Sequence, residues 1–261
     1  MPEALADRIP VVGLPAGVVS VEFVSDLHLG PDMPRTCAAF LSWLRESPAD
    51  ALVILGDLFE AWVGDDALSQ PFESACADAL AQAAGRRPVA VMRGNRDFLL
   101  GDRFFQATGC IELPDPCVLH WDGRRVLLSH GDALCLADHA YQQFRAQVRQ
   151  AAWQQAFLAR PLAERQTVAA QMRAASQASQ GSRPVETYAD ADAPLCLDWL
   201  AAARADTLVH GHTHRPATHA MGPQRWRWVL SDWDLDHEAV RAEVLHWDRD
   251  GPQRQPWPVT G

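Results

Sequence analysis

The sequence predicts an α/β protein in which helices cover β-sheet. Three observations favour this class: short β-branched runs alternate with helical stretches, polar motifs follow the ends of several such runs, and 48% of the residues are hydrophobic. A chain of 261 residues can build one large core with a smaller satellite region. In sheets covered by helices, ligand sites form at the carboxyl ends of the strands. We therefore expect the polar motifs to meet in one crevice.

The first part of the chain alternates strands with helices. Residues 18–25 are rich in β-branched side chains and are predicted to form the first strand. Two further short apolar runs, 51–55 and 88–92, are predicted to be buried strands. Between these three strands, the apolar spacing and the breakers that follow it predict helices over 36–45 and 71–84.

The later part begins with a predicted hairpin. An Asp-Gly turn at 122–123 joins two predicted strands, 117–120 and 124–129. Helical periodicity then predicts one helix over 138–160 and a second helix beyond Pro161. The remaining elements are predicted as a helix over 194–204 and strands over 207–209, 225–230 and 239–247.

These elements divide the chain into four regions. One core is interrupted by a helical insertion and lies between a flexible leader and a C-terminal tail. The predicted boundaries are 1–17 for the leader, 18–136 and 185–250 for the core, 137–184 for the helical cap insertion and 251–261 for the tail.

Composition argues against several classes of protein. The formal net charge of −10 disfavours a nucleic-acid binder, which relies on a basic surface. The six cysteines are scattered without a CxxC pair, so we expect them to be reduced and mostly buried. The N-terminus does not resemble a signal peptide, and no apolar stretch reaches the roughly 18 residues of a membrane span. We therefore expect a globular protein that has no nucleic-acid partner.

Motifs rich in aspartate and histidine follow five predicted strands. Three histidines at alternate positions, within residues 210–216, come directly after the strand 207–209. Asp26 and His28 follow the first strand two residues apart, so both side chains can point the same way. The candidate metal ligands at these strand ends are Asp26, His28, Asp57, Asn95, His130, His212 and His214.

This set suits two divalent transition-metal ions, because carboxylate, amide oxygen and imidazole are all metal ligands. Asp57 is predicted to bridge the two ions, since one carboxylate can serve both. We assign Asp26, His28 and His214 to one ion. We assign Asn95, His130 and His212 to the other. Two ions roughly 3.5–4 Å apart can clamp a phosphoryl group and activate water for in-line attack on phosphorus.

Each motif alone has a simpler explanation. The histidine run could be a polar surface turn, and an Asp-x-His or Gly-Asp pair is common by chance. His210 shares the strand parity of His212 and His214 but lies further back, so we expect it to fall short of the ions. The ordered series, with each motif at a strand end, favours the two-metal interpretation.

The motifs Asp-x-His, Gly-Asp, Gly-Asn-Arg-Asp, His-Gly-Asp and Gly-His-Thr-His, in this order, resemble those of the calcineurin-like metallophosphoesterases. The resemblance extends from Val21 to about Trp233. It implies a four-layer α/β/β/α sandwich with a helical cap, and two Mn²⁺ ions per chain as cofactors. The expected catalytic residues are Asp57, Asn95, Arg96 and His212.

Longer segments resemble one branch of this family, which hydrolyses a lipid-linked nucleotide, UDP-2,3-diacylglucosamine, in lipid A biosynthesis. They are SDLHLG at 25–30, GDLFEAWVGDD at 56–66, GNRDFL at 94–99, HGDALCLAD at 130–138 and HGHTHRPATH at 210–219. The resemblance implies a pyrophosphohydrolase that forms UMP and 2,3-diacylglucosamine 1-phosphate by water attack on the α-phosphorus. It places substrate contacts at Asn95, Arg96, Asp138, Ser176, Gln180, Arg183 and His212. Gln180 and Arg183 stand where the family pattern has Asn and Lys.

Arg96 occupies a position where many metallophosphoesterases have a histidine suited to protonating an alkoxide leaving group. A sugar 1-phosphate is already a weakly basic leaving group, so a fixed cation that neutralises phosphate charge can suffice. The alternative is a surface salt bridge between Arg96 and Asp97.

The helical insertion is basic within an acidic chain. Residues 137–183 contain six Arg and two acidic residues, a net charge of +4. Such helices could cover the crevice, bind an anionic sugar phosphate and rest on an anionic membrane. The alternative is a helical hairpin packed on the core with its arginines in solvent. We expect a monomer, and the resemblance places it peripherally on the cytoplasmic face of the bacterial inner membrane.

Two other functions stay open. One is a soluble nucleotide phosphodiesterase or phosphatase of the same fold. The other is a metal-poor scaffold that keeps the fold for protein binding. Equal activity on a soluble nucleotide diester would favour the first, and metal analysis of the purified protein decides the second.

Overall fold

The computed structural model describes residues 9–180, 189–238 and 240–257. Within these ranges the strands are Val11–Gly13 (β1), Val21–Val24 (β2), Ala51–Leu55 (β3), Val89–Met92 (β4), Ile111–Leu113 (β5), Cys117–Trp121 (β6), Arg124–Leu128 (β7), Thr207–His210 (β8), Ala217–Ala220 (β9), Trp226–Val229 (β10), Glu243–Asp248 (β11) and Gly251–Pro256 (β12). The helices are Pro34–Glu46 (α1), Pro71–Ala84 (α2), Asp102–Thr108 (α3), His139–Val148 (α4), Ala151–Leu158 (α5), Leu162–Gln180 (α6) and Ala193–Ala203 (α7). None of these helices could span a membrane.

The strands form two mixed sheets of six strands each in the described part of the chain. One sheet has the order β12-β11-β2-β3-β4-β5, in which β2 to β5 are parallel and β11 joins β2 in antiparallel fashion. The other has the order β1-β6-β7-β8-β10-β9, in which β7, β8 and β10 are parallel. Parallel central strands place their carboxyl ends at one edge of each sheet, where the predicted motifs follow.

Alternating side chains on the strands separate the molecule into four layers. Val21 and Phe23 of β2 face the opposite sheet, and the centre of the Phe23 ring lies 6.1 Å from that of Trp121 on β6. Glu22 faces the other way and accepts a hydrogen bond from Trp43 Nε1 on α1 at 2.7 Å. Helices α1 to α3 cover this outer face, and α7 covers the outer face of the second sheet. The predicted four-layer α/β/β/α sandwich is confirmed.

The helical cap, defined here as α4 to α6, is inserted between β7 and α7. Phe157 of α5 is buried in the same apolar cluster as residues of α1 to α3, and Trp153 packs against that cluster. Arg165 of α6 is only 2% exposed and donates hydrogen bonds to the carbonyl of Val63 and the carboxylate of Asp66. A buried arginine therefore fastens the cap to the loop that follows β3.

The predicted hairpin between β6 and β7 is confirmed. The two strands pair in antiparallel register, and the turn residues Asp122 and Gly123 both have positive φ, 46° and 74°. An Asp-Gly pair suits this turn because both residues tolerate the left-handed conformation that a two-residue hairpin requires.

Three expectations are corrected. Residues 11–13, which we assigned to the flexible leader, form β1 and pair in parallel with β6. Residues 251–256, which we assigned to the tail, form β12 at the edge of a sheet, where proline is tolerated. The single helix predicted over 138–160 is two helices, because Gln150 between them has an extended conformation. Three short elements, α3, β5 and β9, are not predicted by the sequence pattern.

Candidate metal centre

All seven candidate ligands come together where the carboxyl ends of the two parallel strand sets face each other. The loop after β2 carries Asp26 and His28, the loops after β3 and β4 carry Asp57 and Asn95, and the loops after β7 and β8 carry His130, His212 and His214. The backbone N–H of His212, from one sheet, donates to Asp26 Oδ2, from the other, at 2.9 Å. The two sheets are therefore joined directly through the site.

One cluster consists of Asp26, His28 and His214, whose ligand atoms lie within 4.8 Å of one another. His214 Nε2 is 3.3 Å from His28 Nε2 and 3.3 Å from Asp26 Oδ1. Asp26 Oδ1 is buried and accepts no hydrogen bond within the described ranges. Two ring nitrogens and an unsatisfied carboxylate oxygen that face one another fit a cation between them.

A second cluster contains Asn95, His130 and His212. His130 Nδ1 is 2.9 Å from the carbonyl oxygen of Leu55, which can only accept, so Nδ1 carries a proton and Nε2 points into the site. Asn95 Oδ1 is 2.9 Å from His130 Nε2 and 2.8 Å from His212 Nδ1. One amide oxygen and two ring nitrogens therefore meet at a single point.

Asp57 lies between the two clusters. Its Oδ2 is 3.8 Å from His28 Nε2, and its Oδ1 is 3.6 Å from His130 Nε2. This position suits the predicted bridging carboxylate. Asp26 also reaches toward the second cluster, because its ligand atom lies within 4.8 Å of those of Asp57 and His130.

The backbone at the ligands is strained. Five of the seven have positive φ, between 46° and 67°, namely Asp26, His28, Asp57, His212 and His214. Such conformations cost of order 1–3 kcal/mol each in residues with a Cβ and persist where surrounding contacts hold them. Here the strand hydrogen bonding continues into the loops, since Asp26 N–H donates to Gly56 O at 3.1 Å and His28 N–H to Asp57 O at 3.0 Å.

Two glycines allow the loops of the site to pack directly against the carboxylates of Asp57 and Asp26. A Cβ on Gly94 would lie 2.1 Å from Asp57 Oδ1, and a Cβ on Gly211 would lie 2.3 Å from Asp26 Oδ2. Neither distance is possible for a real side chain, so any larger residue would push a carboxylate out of place. The Gly-Asn and Gly-His motifs are therefore required by packing around the two aspartates.

Buried carboxylates dominate the electrostatics of the site. Burial alone favours the neutral imidazole of His130, but the nearby carboxylates, that of Asp57 first, outweigh burial and raise its pKa to about 9. At His212, burial and the neighbouring His130 lower the pKa to about 4. Burial and the Asp57 carboxylate raise the pKa of Asp97 to about 6. The site is thus a concentration of negative charge that attracts positive charge.

Asp97 joins two motif loops. Its carboxylate accepts hydrogen bonds from the backbone N–H of Gly94 at 2.6 Å and of Leu58 at 2.8 Å. The Arg96 guanidinium points elsewhere, with one nitrogen 3.9 Å from Glu60 Oε1. The alternative explanation of Arg96 as the salt-bridge partner of Asp97 is therefore wrong, because backbone groups occupy that carboxylate.

Three residues near the candidate ligands were not predicted from the sequence, namely Glu60, Asp132 and Tyr141. Glu60 Oε2 is 3.1 Å from His28 Nδ1. Burial alone would raise the pKa of Glu60, but nearby positive groups, His28 first, outweigh it and hold the pKa below its usual value. Asp132 accepts from Tyr141 O–H at 2.6 Å, and the Tyr141 ring lies 5.7 Å from that of His212. The available signal was that both acids lie inside the long motif segments quoted above.

The cap arginines mostly face the core. Arg145 Nε donates to Asp132 at 2.8 Å, and Arg149 donates to the carbonyl of Gly94 at 3.0 Å. Arg173 Nε is 2.8 Å from Glu60 Oε1. Together with the buried Arg165, these contacts show that the alternative of a hairpin with solvated arginines is wrong for these positions.

Other candidate residues lie elsewhere. Asp138 is exposed at the start of α4, where it accepts a hydrogen bond from the Tyr141 N–H at 3.0 Å. His210 is fully buried beside the carbonyl of Gly211, at 2.8 Å, and belongs to neither ligand cluster. The side chains of Ser176 and Gln180, and Arg183 as a whole, lie outside the described residues.

Comparison with known proteins identifies the family of this chain. The family model described as calcineurin-like phosphoesterase matches residues 20–216, and the chain belongs to this family. Relatives named UDP-2,3-diacylglucosamine hydrolase include those of Bordetella pertussis, 47% identical over 88% of this chain and 92% of the relative, and of Stenotrophomonas maltophilia strain K279a, 48% identical over 89% and 98%. A third, of Ralstonia nicotianae, is 48% identical over 86% of this chain and 88% of the relative.

The Gly94→Ala variant tests the close approach of the loops. We expect its Cβ to displace the Asp57 carboxylate, so that turnover of a phosphodiester falls about 10²-fold, the effect of a displacement near 1 Å, and bound metal falls with it. Gly85→Ala is the matched control, because that Cβ would meet nothing closer than 3.4 Å. Turnover and metal content per chain are measured for both. Wild-type values in Gly94→Ala would contradict the packing argument.

Proposed function

We propose that this protein is a metal-dependent hydrolase of UDP-2,3-diacylglucosamine, the compound for which its relatives are named. It would cleave the pyrophosphate bond, with UMP and 2,3-diacylglucosamine 1-phosphate as products. The observation that carries the proposal is the gathering of seven ligand side chains from five strand-end loops, with Asp57 between the two clusters. The match over most of the length of these relatives supports the choice of substrate.

The residues present fit two divalent ions, and we propose Mn²⁺. Asp26, His28 and His214 would hold one ion, and Asn95, His130 and His212 the other. Asp57 would contact both. When bound, such ions supply positive charge to the phosphoryl oxygens and lower the pKa of a water nucleophile.

The chain's own residues would orient the diphosphate. Arg96 directly follows Asn95 of the second cluster, and its backbone N–H donates to Asp57 Oδ1 at 2.8 Å. Its guanidinium lies near Glu60, on the side of the first cluster. We propose that its guanidinium, which is partly exposed, binds the phosphate that leaves with the sugar and neutralises its growing charge. Tyr141 and Arg145 of α4 hold the cap against the Asp132 loop, so the cap would cover the substrate and exclude water.

A cavity between α6 and the loop after β3 favours a lipid substrate over a soluble nucleotide. It has a volume of about 420 Å³, and Arg173 and Glu60 lie in its wall. The remaining wall has small apolar side chains, Ala61, Val63, Ala67, Ala169, Ala170 and Ala174, together with the polar Asp32, Glu73 and Gln166. We propose that acyl chains enter this cavity while the headgroup lies at the ligand clusters.

Product analysis in ¹⁸O-water tests the proposed function. Hydrolysis of UDP-2,3-diacylglucosamine by the Mn²⁺-loaded protein should place the label in UMP, because water attacks the α-phosphorus. Label in the sugar 1-phosphate would contradict the point of attack. Equal turnover of a soluble nucleotide diester would favour a phosphodiesterase of the same fold, and a purified chain that takes up no metal would favour the scaffold.

The Arg96→Ala variant tests whether Arg96 acts on the phosphate of the substrate and not on the binding of the ions. We expect turnover to fall about 10²-fold, as on loss of a charge-stabilising donor, with the metal content unchanged. Arg45→Ala, at a side chain that is 57% exposed on α1, serves as the control and should turn over at the wild-type rate. A larger loss of metal than of turnover in Arg96→Ala would refute the role of Arg96.

We also propose that the cap rests on an anionic membrane surface, on the cytoplasmic face of the inner membrane. Three large apolar side chains are exposed on or beside the cap, Leu136, Leu158 and Met172, at 43%, 41% and 40%. Arg160 is exposed near Leu158 in the sequence, and a basic residue beside an apolar one suits such a surface. That the chain acts as a monomer stays a prediction.

Vesicle sedimentation tests this surface. The protein should sediment with vesicles that contain phosphatidylglycerol, and raising the ionic strength should release most of it. Replacing Leu136, Leu158 and Met172 together by Ser should abolish sedimentation at low salt. Binding that is equal on neutral vesicles, or unchanged in the triple variant, would contradict the proposal.

A further inference from the structure

Glu60 is held rigidly beside the first ligand cluster. Its backbone N–H donates to the carbonyl of Leu29 at 3.1 Å, and Leu29 N–H donates to Leu58 O at 2.9 Å. These bonds continue the pairing of β2 and β3 beyond the strands, so the loop of Glu60 is paired with the loop of His28. The Glu60 side chain is 16% exposed, as is that of His28. The paired backbone therefore places both side chains, largely buried, next to each other.

The Glu60 carboxylate contacts three functional side chains. Its Oε2 is 3.1 Å from His28 Nδ1, an ion-pair distance whose angle is not that of a hydrogen bond, and this buried nitrogen has no hydrogen-bond partner within the described ranges. Its Oε1 is 2.8 Å from Arg173 Nε of the cap. One Arg96 nitrogen is 3.9 Å from Oε1. Two guanidinium groups thus neutralise one side of the carboxylate, while the other side faces the imidazole.

The contact with His28 has a chemical consequence. A carboxylate can only accept, so it favours the tautomer of His28 that carries its proton on Nδ1. Nε2 is then free of hydrogen, and this is the atom that lies 3.3 Å from His214 Nε2 and 3.8 Å from Asp57 Oδ2. A carboxylate behind a ligating histidine fixes the ring and raises the basicity of its other nitrogen.

We propose that Glu60 is a positioning residue that presents His28 Nε2 to the first ion, while Arg173 holds the carboxylate in place. The proposal rests on the proposed function for the presence of the ion. It adds a link from the cap to the metal centre, because the same carboxylate that orients His28 also binds Arg173 of α6. Glu60 acts through His28 and does not itself contact the reacting atoms.

Metal binding is the first test. Mn²⁺ titration of the stripped full-length protein should show 10–100-fold weaker binding in Glu60→Gln, the usual cost of removing such a partner. Glu73→Gln is the matched control, because Glu73 also lines the cavity under α6, and its Mn²⁺ affinity should equal that of wild type. Equal affinity of Glu60→Gln and wild type would overturn the proposal.

The tautomer of His28 is the second test and needs no activity. Nitrogen-15 spectra of histidine-labelled, metal-free protein, assigned with His28→Gln, should show the proton of His28 on Nδ1 at a pH where imidazole is neutral. Glu60→Ala should lose this preference. A wild-type His28 protonated on Nε2, or no change in Glu60→Ala, would overturn the proposal. If wild type binds no Mn²⁺, the proposed function fails and the tautomer alone decides the role of Glu60.

Discussion

Two buried carboxylates, Asp26 and Asp57, are the constraint on which the rest of the structure depends. Asp26 is fully buried and Asp57 is 2% exposed. Taking a carboxylate out of water is costly unless hydrogen bonds and opposite charge compensate it. Backbone N–H groups of His212 and Arg96 supply part of this compensation. The remainder is left to the surrounding imidazoles and to a cation, which explains why the fold gathers its ligands here at the expense of strained backbone.

The same loops that hold the ligands also hold the cap. Asp132, two residues after His130, binds Tyr141 and Arg145 of α4. Arg149 binds the carbonyl of Gly94, one residue before Asn95. Because the cap contacts the same short loops that carry the candidate ligands, a displacement of the cap would also displace the ligand side chains. The proposed substrate and the proposed ions would therefore be coupled through these loops.

The buried strands and the meeting of the polar motifs could be predicted because both depend on local patterns, whereas the four layers were implied by the family resemblance. Buried strands such as 51–55 are continuous apolar runs, and each is followed at once by a polar motif. Because ligand sites form at the carboxyl ends of strands in such sheets, these motifs could be predicted to meet in one crevice. Asp26 and His28 could be placed together from strand parity alone. Their left-handed backbone could not, since it depends on hydrogen bonds to the neighbouring loop.

What escaped prediction depends on contacts between distant segments. Nothing in the residue type distinguishes Asp97, which binds backbone N–H groups, from an acid that pairs with Arg96. Glu60 lies inside a motif segment, but its role could not be predicted, because its partners His28 and Arg173 lie far away in the chain. β1 has only three residues, too few for a periodic pattern, and β12 contains two prolines that argue against a strand unless an edge position is known.

Anomalous diffraction from crystals soaked in Mn²⁺ would locate the ions themselves. We expect two manganese peaks per chain, roughly 3.5–4 Å apart, with the Asp57 carboxylate between them. One peak should lie on the side of His28 and the other on the side of His130. A single peak that leaves Asp57 uncoordinated, or manganese bound only outside these loops, would contradict this expectation.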